Sequence, residues 1–390
     1  MKCAAVLGAT GVLCAILCAC QRGPVAPLGL PPPPGTASTA QADLGRKLFM
    51  DRRLSANNTM SCAMCHVPEQ GFAANELGTA IGVNGRSLRR NAPTLLNVAY
   101  VGSLFHDGRE STLERQAWAP MLNAAEMGNR SVQSVAAKIG AMPDYAGRFE
   151  AAFDGRGPDR ATIGAALAGY QRTLVAANAR FDRWRYGHDA QALDGAEQAG
   201  FAVFAGKGRC IACHTVGARA ALFADGAFHN TGIGWARSQA PPRRTAVRLA
   251  DGVFAELDER DLRAVSDPPQ ADLGRAEVTH APADRWAYRT PSLRNIALTA
   301  PYMHDGSLAT LEEVIDFYQR GGIDNPLKDR LLQPLQLSEV DKRNLAAFLR
   351  SLTGDNAVAL ARLARRERID HPIPVAPSAG LAVRVDAVPK

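Results

Sequence analysis

The chain has 390 residues, 24 of them proline, and a formal net charge of +7 at pH 7. This length is large for a single hydrophobic core and suits two domains. The positive charge is mostly arginine and is spread along the chain. Because no basic run interleaves with aromatic residues, the composition argues against a nucleic-acid-binding protein.

The first 20 residues predict an export signal. They start with a positive charge and continue with small, mostly apolar residues, in a stretch too short to span a bilayer. Four of the eight cysteines lie in this segment. The stretch ends in Leu-Cys-Ala-Cys at 17–20, which is typical of a bacterial lipobox and predicts lipidation of Cys20. The alternative is ordinary cleavage near Ala19 with Cys20 left free. Both routes predict export to the periplasm. In the first route the protein would be attached to a membrane only through the lipid on Cys20.

The rest of the chain divides into four segments. Residues 21–40 include four consecutive prolines and predict a flexible or polyproline tether. Two globular regions follow, at 41–190 and 191–354. Residues 355–390 form a tail whose end is again rich in proline.

Each globular region contains one CxxCH motif. In this pattern two thiols attach covalently to a haem and the adjacent histidine binds its iron. The alternatives are a zinc site, which needs four converging ligands, and a redox dithiol, which does not need the histidine. The motifs predict two covalently bound haem c groups, held by Cys62, Cys65 and His66 and by Cys210, Cys213 and His214.

A second pattern repeats at a fixed distance of 198 residues. Segments 92–99, 105–108 and 112–114, with the pattern PxLxN, HDG and TLE, recur at 290–297, 303–306 and 310–312. Such self-similarity predicts duplicated domains. The CxxCH motifs are only 148 residues apart, so the second half carries about 50 extra residues. We place them at 215–289 and expect loops with a short hairpin.

Helical spacing of apolar residues at 161–183 and 345–352 predicts helices, and sustained β alternation is scarce. Thr310 starts a capping box for a helix that runs to about Arg320, and Thr112 starts the matching helix. The fold class is therefore all-α: two cytochrome c-like haem domains related by internal duplication, with a loop-rich insertion in the second.

The two halves differ at one chemically important position. Tyr318 lies 14 residues after His304, and Pro120 lies 14 residues after His106. A tyrosine can bind iron through its phenolate oxygen, whereas proline has no ligating group. The alternative is that Tyr318 is a packed aromatic residue and Pro120 only ends its helix.

Together these residues resemble the bacterial dihaem cytochrome c peroxidase and MauG family, from Gly45 to about Gly354. The resemblance rests on both CxxCH motifs and on four further segments: Asn91-Ala92-Pro93-Thr94, Asp107-Gly108-Arg109, Gln116…Pro120…Glu126-Met127-Gly128 and Thr299-Ala300-Pro301-Tyr302-Met303-His304-Asp305-Gly306.

The resemblance implies roles for particular residues. The N-terminal haem is expected to react with peroxide and the C-terminal haem to relay electrons. Gln116, Pro120 and Glu126 fall on the family's distal-pocket positions, with Glu126 moving the peroxide proton and Gln116 orienting the peroxide. The Asn91 side chain and the carbonyl oxygens of Thr299 and Pro301 fall on a calcium site, and oxygen ligands suit Ca²⁺.

Position 318 separates the family's members. Plain peroxidases have methionine there, whereas the MauG type has tyrosine, whose anionic oxygen lowers the haem potential. Tyr318 therefore places this chain with the MauG type. Plain peroxidases also often have a histidine that caps the first haem until reduction. Since no histidine occurs between His66 and His106, we expect this haem to be open from the start.

Two positions depart from the family pattern. His106 occupies the place between the haems where relatives commonly have tryptophan, and Gly208 occupies the place of a surface tryptophan that MauG uses to oxidise its protein substrate. Trp118 and Trp286 are possible substitutes.

Three functions remain open at this stage. The first is an H₂O₂-dependent peroxidase that takes electrons from a periplasmic small cytochrome, cupredoxin or quinol. The second is a MauG-like enzyme that oxidises residues of a partner protein. The third is a pure electron-transfer dihaem cytochrome, which would need two fully ligated haems, and Pro120 argues against it.

Overall fold

The computed structural model describes residues 26–73, 77–85, 87–239, 244–250, 253–258 and 272–366. The predicted signal peptide with Cys20, and the tail beyond residue 366, lie outside the described residues. Within the described part, we find no helix with the length and apolar character needed to cross a bilayer.

The first half is built from helices that surround one hydrophobic core. Its centre contains Leu48, Phe49, Phe72, Met121 and Ile163. The helices are α1 Thr39–Met50, α2 Cys62–Cys65, α3 Leu113–Gln116, α4 Trp118–Leu122, α5 Val132–Gly140, α6 Arg148–Ala152 and α7 Arg160–Thr173.

The second half has its own core, in which Phe181, Phe204, Phe223 and Phe348 pack against one another. Its strands form two antiparallel pairs, β1 with β4 and β2 with β3. The elements are α8 Arg180–Tyr186, α9 Gly195–Ala205, β1 Phe228–His229, α10 Ile233–Gln239, β2 Arg244–Ala250, β3 Val253–Asp258, α11 Ala276–Thr279, β4 Tyr288–Arg289, α12 Leu311–Gln319, α13 Glu339–Arg350 and α14 Ala357–Ala364.

In each half the first long helix crosses a later helix at a glycine. Helix α1 meets α7 where a Cβ at Gly45 would lie 1.9 Å from the carbonyl oxygen of Ala166. Helix α9 meets α13 where a Cβ at Gly200 would lie 2.0 Å from the carbonyl oxygen of Asn344. Only glycine permits such a close backbone approach, so these residues set the spacing of both helix pairs.

The predicted helix at 161–183 is wrong in its length, because the chain forms α7 and α8 with a break between them. Between these two helices, backbone amides form hydrogen bonds with side chains from other segments. Asn97 accepts a hydrogen bond from the Ala176 amide, and Asn356 accepts one from the Ala177 amide. Asn178 then adopts a positive φ of 56°. These distant partners replace the hydrogen bonds that would continue a helix.

The two PxLxN units have the same local conformation. Asn97 and Asn295 both have left-handed backbones, with φ of 62° and 61°, and each precedes a short 3-10 helix. A β-bridge follows in each unit, between Leu104 and Glu110 and between Tyr302 and Leu308. The matching sequence segments therefore build matching turns.

Two segments pack across the domain limits drawn from the sequence, which remain predictions. Helix α8 contributes Phe181 to the second core, and α14 returns to pack Ala357 and Ala364 on the first core. In the middle of the predicted tether, Leu30 is buried and the Gly29 carbonyl oxygen accepts a hydrogen bond from Arg294. This stretch of the chain is held against the second half.

Candidate active site

A cavity of about 720 Å³ lies beside the first CxxCH motif. Cys62 and Cys65 form the ends of the one-turn helix α2, and the His66 amide donates to the Cys62 carbonyl oxygen at 2.8 Å. His66 Nδ1 contacts the Phe72 carbonyl oxygen at 3.2 Å. This contact fixes the ring and leaves Nε2 for a metal, the usual arrangement for a ligand histidine.

The second motif repeats this arrangement beside a cavity of about 350 Å³. A 3-10 turn carries Cys210, and the His214 amide donates to its carbonyl oxygen at 2.9 Å. His214 Nδ1 contacts the Phe223 carbonyl oxygen at 2.8 Å. Phe72 and Phe223 both have positive φ angles, 54° and 52°. The same strained turn thus orients the ligand histidine in both halves.

Both cavities fit a haem c. Their volumes lie in the range of roughly 300–1,000 Å³ that is typical of small-molecule and cofactor sites. The four motif cysteines form no disulfide, so their sulfur atoms are available for covalent attachment to haem. Burial lowers the pKa of His66 and of His214, which favours the neutral imidazole that binds a metal.

The predicted distal residues Gln116, Pro120 and Glu126 all line the first cavity. Glu126 accepts a hydrogen bond from Asn123 Nδ2 at 2.8 Å. Burial raises the pKa of the Glu126 carboxyl, although the positive charge of Arg109 and the Asn123 hydrogen bond oppose this rise. The side chain lies close enough to Cys65 that its charge raises the pKa of that thiol.

Tyr318 lines the second cavity from helix α12, whose Thr310–Glu313 capping box agrees with the sequence prediction. Burial is the main cause that raises the pKa of its phenol, and the neighbouring thiols of Cys210 and Cys213 add to it. The phenol therefore lies close to the haem-attachment site. In the first half the corresponding helix is broken into α3 and α4, and Pro120 lies on α4.

The predicted calcium ligands Asn91, Thr299 and Pro301 line the second cavity together. Asn91 is buried, its Nδ2 donates to the Gly78 carbonyl oxygen at 2.8 Å, and its amide donates to the His304 carbonyl oxygen at 2.7 Å. All three oxygen-bearing residues therefore border one cavity. A set of oxygen donors of this kind suits Ca²⁺.

Comparison with known proteins identifies the chain. Residues 39–190 match a family model described as di-haem cytochrome c peroxidase. The methylamine utilization protein MauG of Methylorubrum extorquens is 38% identical over 315 residues, which cover 80% of this chain and 78% of MauG. The chain belongs to the di-haem cytochrome c peroxidase family. Cytochrome-c peroxidase IdrP1 of Pseudomonas sp. strain SCT is 35% identical, over 85% of this chain and 86% of IdrP1.

Solved structures show the same relationship. A MauG-like protein associated with microbial copper homeostasis has a TM-score of 0.68 and 32% identity, covering 86% of this chain and 95% of that protein. The diheme peroxidase BthA of Burkholderia thailandensis E264 has a TM-score of 0.66 and 27% identity, covering 86% of this chain and 96% of BthA. The helical dihaem fold is thus confirmed.

Family membership gives this dihaem peroxidase its general chemistry. It is a haem enzyme whose substrate is hydrogen peroxide, and its two CxxCH motifs carry two haem c groups. A redox partner or a protein substrate completes the reaction.

His106 lies where this dihaem peroxidase brings its two cavities together, and it lines both. His106 Nε2 contacts the Asn91 carbonyl oxygen at 2.9 Å, and burial lowers the pKa of the ring to about 3. The proposed substitutes are elsewhere: among the described residues, neither Trp118 nor Trp286 lines either cavity. Trp118 donates instead to the Arg160 carbonyl oxygen at 3.0 Å.

Sequence reasoning missed a group of residues from the insertion. Asp272 forms a two-fold ion pair with Arg90, with N–O distances of 2.6 and 2.7 Å, and Arg90 also binds Asp107. Tyr288, on β4, lines the second cavity beside His304. No motif marks these residues. A useful signal was the position of Tyr288, only two residues before the repeated Thr290-Pro291 segment.

Proposed function

We propose that this dihaem peroxidase cleaves H₂O₂ at its N-terminal haem and relays electrons through a C-terminal haem bound by His214 and Tyr318. The observation that carries this proposal is the difference between two equivalent positions. Pro120 lines the larger cavity without a ligating atom, whereas Tyr318 lines the smaller one beside Cys210 and Cys213. A haem held by the first motif would therefore have a side open to peroxide, whereas one held by the second motif would have the Tyr318 phenol available as a ligand.

In the first cavity the chain supplies a proton carrier and an orienting amide. A haem held by Cys62, Cys65 and His66 would supply the electrons for breaking the peroxide O–O bond. Glu126 accepts the proton of the inner peroxide oxygen and returns it to the outer oxygen, which leaves as water. Gln116 orients the peroxide by hydrogen bonding. A positioned acid–base group of this kind contributes roughly 10²–10⁴-fold to the rate.

In the second cavity Tyr318 sets the potential of the relay. A phenolate oxygen stabilises oxidised iron more strongly than a thioether does, so a haem held by His214 and Tyr318 would have a low potential. The Asn91, Thr299 and Pro301 oxygens hold a Ca²⁺ ion where the two halves meet, and metal analysis of the purified protein would detect it.

Substitution at Pro120 tests the proposal. Pro120→Met places a thioether on the open side of the first haem, so this haem becomes low-spin and peroxide consumption with a reduced artificial donor falls to near background. Pro120→Ala is the matched control, because it removes the ring without adding a ligand and leaves turnover largely intact. A Pro120→Met protein that folds, binds both haems and consumes peroxide at the wild-type rate would contradict the open site.

A MauG-like reaction on a partner protein is the second candidate, favoured by the tyrosine at position 318. Position 208 counts against MauG's own electron path. A Cβ at Gly208 would lie 2.7 Å from the Val203 carbonyl oxygen, so this backbone has no room for the surface tryptophan of that path. We therefore favour a peroxidase that receives electrons from a periplasmic small cytochrome, cupredoxin or quinol.

The location of the protein follows from the sequence. A lipidated Cys20 would attach the enzyme to a membrane from the periplasmic side. The mass of the mature N-terminal peptide distinguishes a diacylglyceryl cysteine from ordinary cleavage.

A further inference from the structure

Tyr288 and His304 form a stacked pair between the two haem cavities. Their ring centroids are 3.6 Å apart and their planes differ by 14°. The His106 ring meets His304 edge-on at 6.5 Å. All three rings line the second cavity, and His106 also lines the first. The rings therefore form a continuous row from one haem site to the other.

A backbone hydrogen bond joins the same residues. The Arg289 amide, adjacent to Tyr288, donates to the His106 carbonyl oxygen at 2.7 Å. Arg289 Nε also donates to the Phe105 carbonyl oxygen at 3.2 Å. Strand β4 is thus attached directly to the segment that carries His106, which fixes the position of Tyr288 relative to both cavities.

The Tyr288 hydroxyl is buried and interacts with the Asp272 carboxylate, although among the described residues it makes no hydrogen bond of ordinary geometry. A Cβ at Gly234 would lie 2.8 Å from this oxygen, so α10 closes tightly over it. Burial raises the pKa of the phenol, and the negative charge of nearby Asp272 raises it further. Buried polar groups are nearly always satisfied, and an exception is often a redox or catalytic group.

Two neighbours suit the oxidation of a tyrosine. Asp272 is an ionised carboxylate held by Arg90, whose positive charge keeps the pKa of the carboxyl well below its ordinary value even though burial opposes this. Such a group can accept the phenolic proton, which becomes very acidic once the ring loses an electron. The second neighbour is His304, whose ring lies flat against the Tyr288 ring on the side of the cavity.

The geometry points to Tyr288 as the residue that passes oxidising equivalents between the two haem sites, in place of the tryptophan that is missing at position 106. This inference rests on the proposed function. Reduction of H₂O₂ to two waters takes up two electrons and two protons. Tyr288 supplies one of these electrons to the N-terminal haem site and its hydroxyl proton to Asp272, and becomes a neutral tyrosyl radical. An electron that the external donor delivers through the C-terminal haem site, together with the proton from Asp272, would then restore the phenol. A second transfer of the same kind completes the reduction, so that both electrons come from the external donor and the two protons that H₂O₂ takes up come from solvent.

The other aromatic residues fit this role less well. Imidazole is harder to oxidise than phenol, so His106 and His304 are not themselves oxidised. Electrons pass across their packed rings between the two haem sites. Trp118 and Trp286 do not line either cavity among the described residues. Tyr302 also lines the second cavity, but its hydroxyl donates to the Ile296 carbonyl oxygen at 3.1 Å. A backbone carbonyl is a much weaker proton acceptor than the Asp272 carboxylate.

The test is electron paramagnetic resonance of the dihaem protein frozen shortly after addition of H₂O₂. We expect a tyrosyl radical whose signal narrows when ring-deuterated tyrosine is incorporated. Tyr288→Phe keeps the stacked ring but removes the ionisable hydroxyl, and should reduce this signal to background. The matched control, Tyr302→Phe, changes a tyrosine of the same cavity and should retain it. Resting-state haem spectra identical to those of the wild type show that each variant is folded.

The outcomes separate this inference from the proposed function. A wild-type protein that consumes peroxide but forms no tyrosyl radical, or a Tyr288→Phe variant with an unchanged radical, overturns the role of Tyr288 alone. Loss of the radical in both tyrosine variants also overturns it, since the two positions would then be equivalent. A wild-type protein that consumes no peroxide contradicts both proposals.

Discussion

Glu126 is the residue whose ionisation should control the reaction with peroxide. In the proposed reaction it acts first as a base, so it must be a carboxylate, and burial raises its pKa above the ordinary value of 4.5. The rate of reaction with H₂O₂ should therefore fall as the pH falls through this raised pKa. Glu126→Gln should slow the reaction by roughly 10²–10⁴-fold and abolish this acid limb. Stopped-flow measurements across pH check this.

The exposed residue Glu150 offers a control for this substitution. Glu150→Gln should leave both the rate and its pH dependence unchanged. If Glu126→Gln reacts at the wild-type rate with the same acid limb, another group carries the proton.

At the residue scale, the sequence predicted residues that line both cavities, but it did not predict that Tyr288 lies between them. CxxCH spacing is dictated by haem chemistry, so Cys62, Cys210 and their histidines can be read directly. Pro120 and Tyr318 followed from the repeat. Tyr288 lies two residues before the repeated Thr290-Pro291 segment, but that position alone does not reveal its stacking on His304, because His304 is distant in sequence and stacking leaves no local pattern.

At the element scale, the two glycine crossings make a clear prediction. Gly200→Ala forces a methyl group into the Asn344 carbonyl oxygen and should lower the free energy of unfolding by about 1–3 kcal/mol. Gly195, on the same helix, has no atom within 4 Å of an added Cβ. Gly195→Ala should be neutral or slightly stabilising, because it restricts the unfolded chain. Denaturant unfolding of both variants checks this, and equal destabilisation would contradict the role of the crossing.

The elements also show where helical periodicity misleads. The Thr310 capping box correctly predicted the start of α12, because a cap is a local interaction. The 161–183 prediction failed because Asn97 and Asn356 capture the backbone at the break, and both lie far away in sequence. The tail segment that forms α14 also packs on residues distant in sequence, those of the first core, so its position could not be predicted from a local pattern.

At the scale of the whole molecule, two similar halves carry different haem sites. The insertion in the second half supplies Asp272 and Tyr288, which meet Arg90 of the first half. The fixed distance of 198 residues predicted two related halves but not this contact, since the segment at 215–289 has no counterpart in the first half for comparison. The main difference between the two haem sites is the residue at the equivalent position, which is Pro120 in the first and Tyr318 in the second.

The resting ferric protein tests this asymmetry most directly. Its electron paramagnetic resonance spectrum should show one high-spin haem, at the open first site, and one low-spin haem, ligated by His214 and Tyr318. Tyr318→Met should raise the reduction potential of the low-spin haem and leave the high-spin signal unchanged. Two low-spin haems at rest, with potentials that do not respond to Tyr318→Met, would contradict both the open peroxide site and the tyrosine ligand.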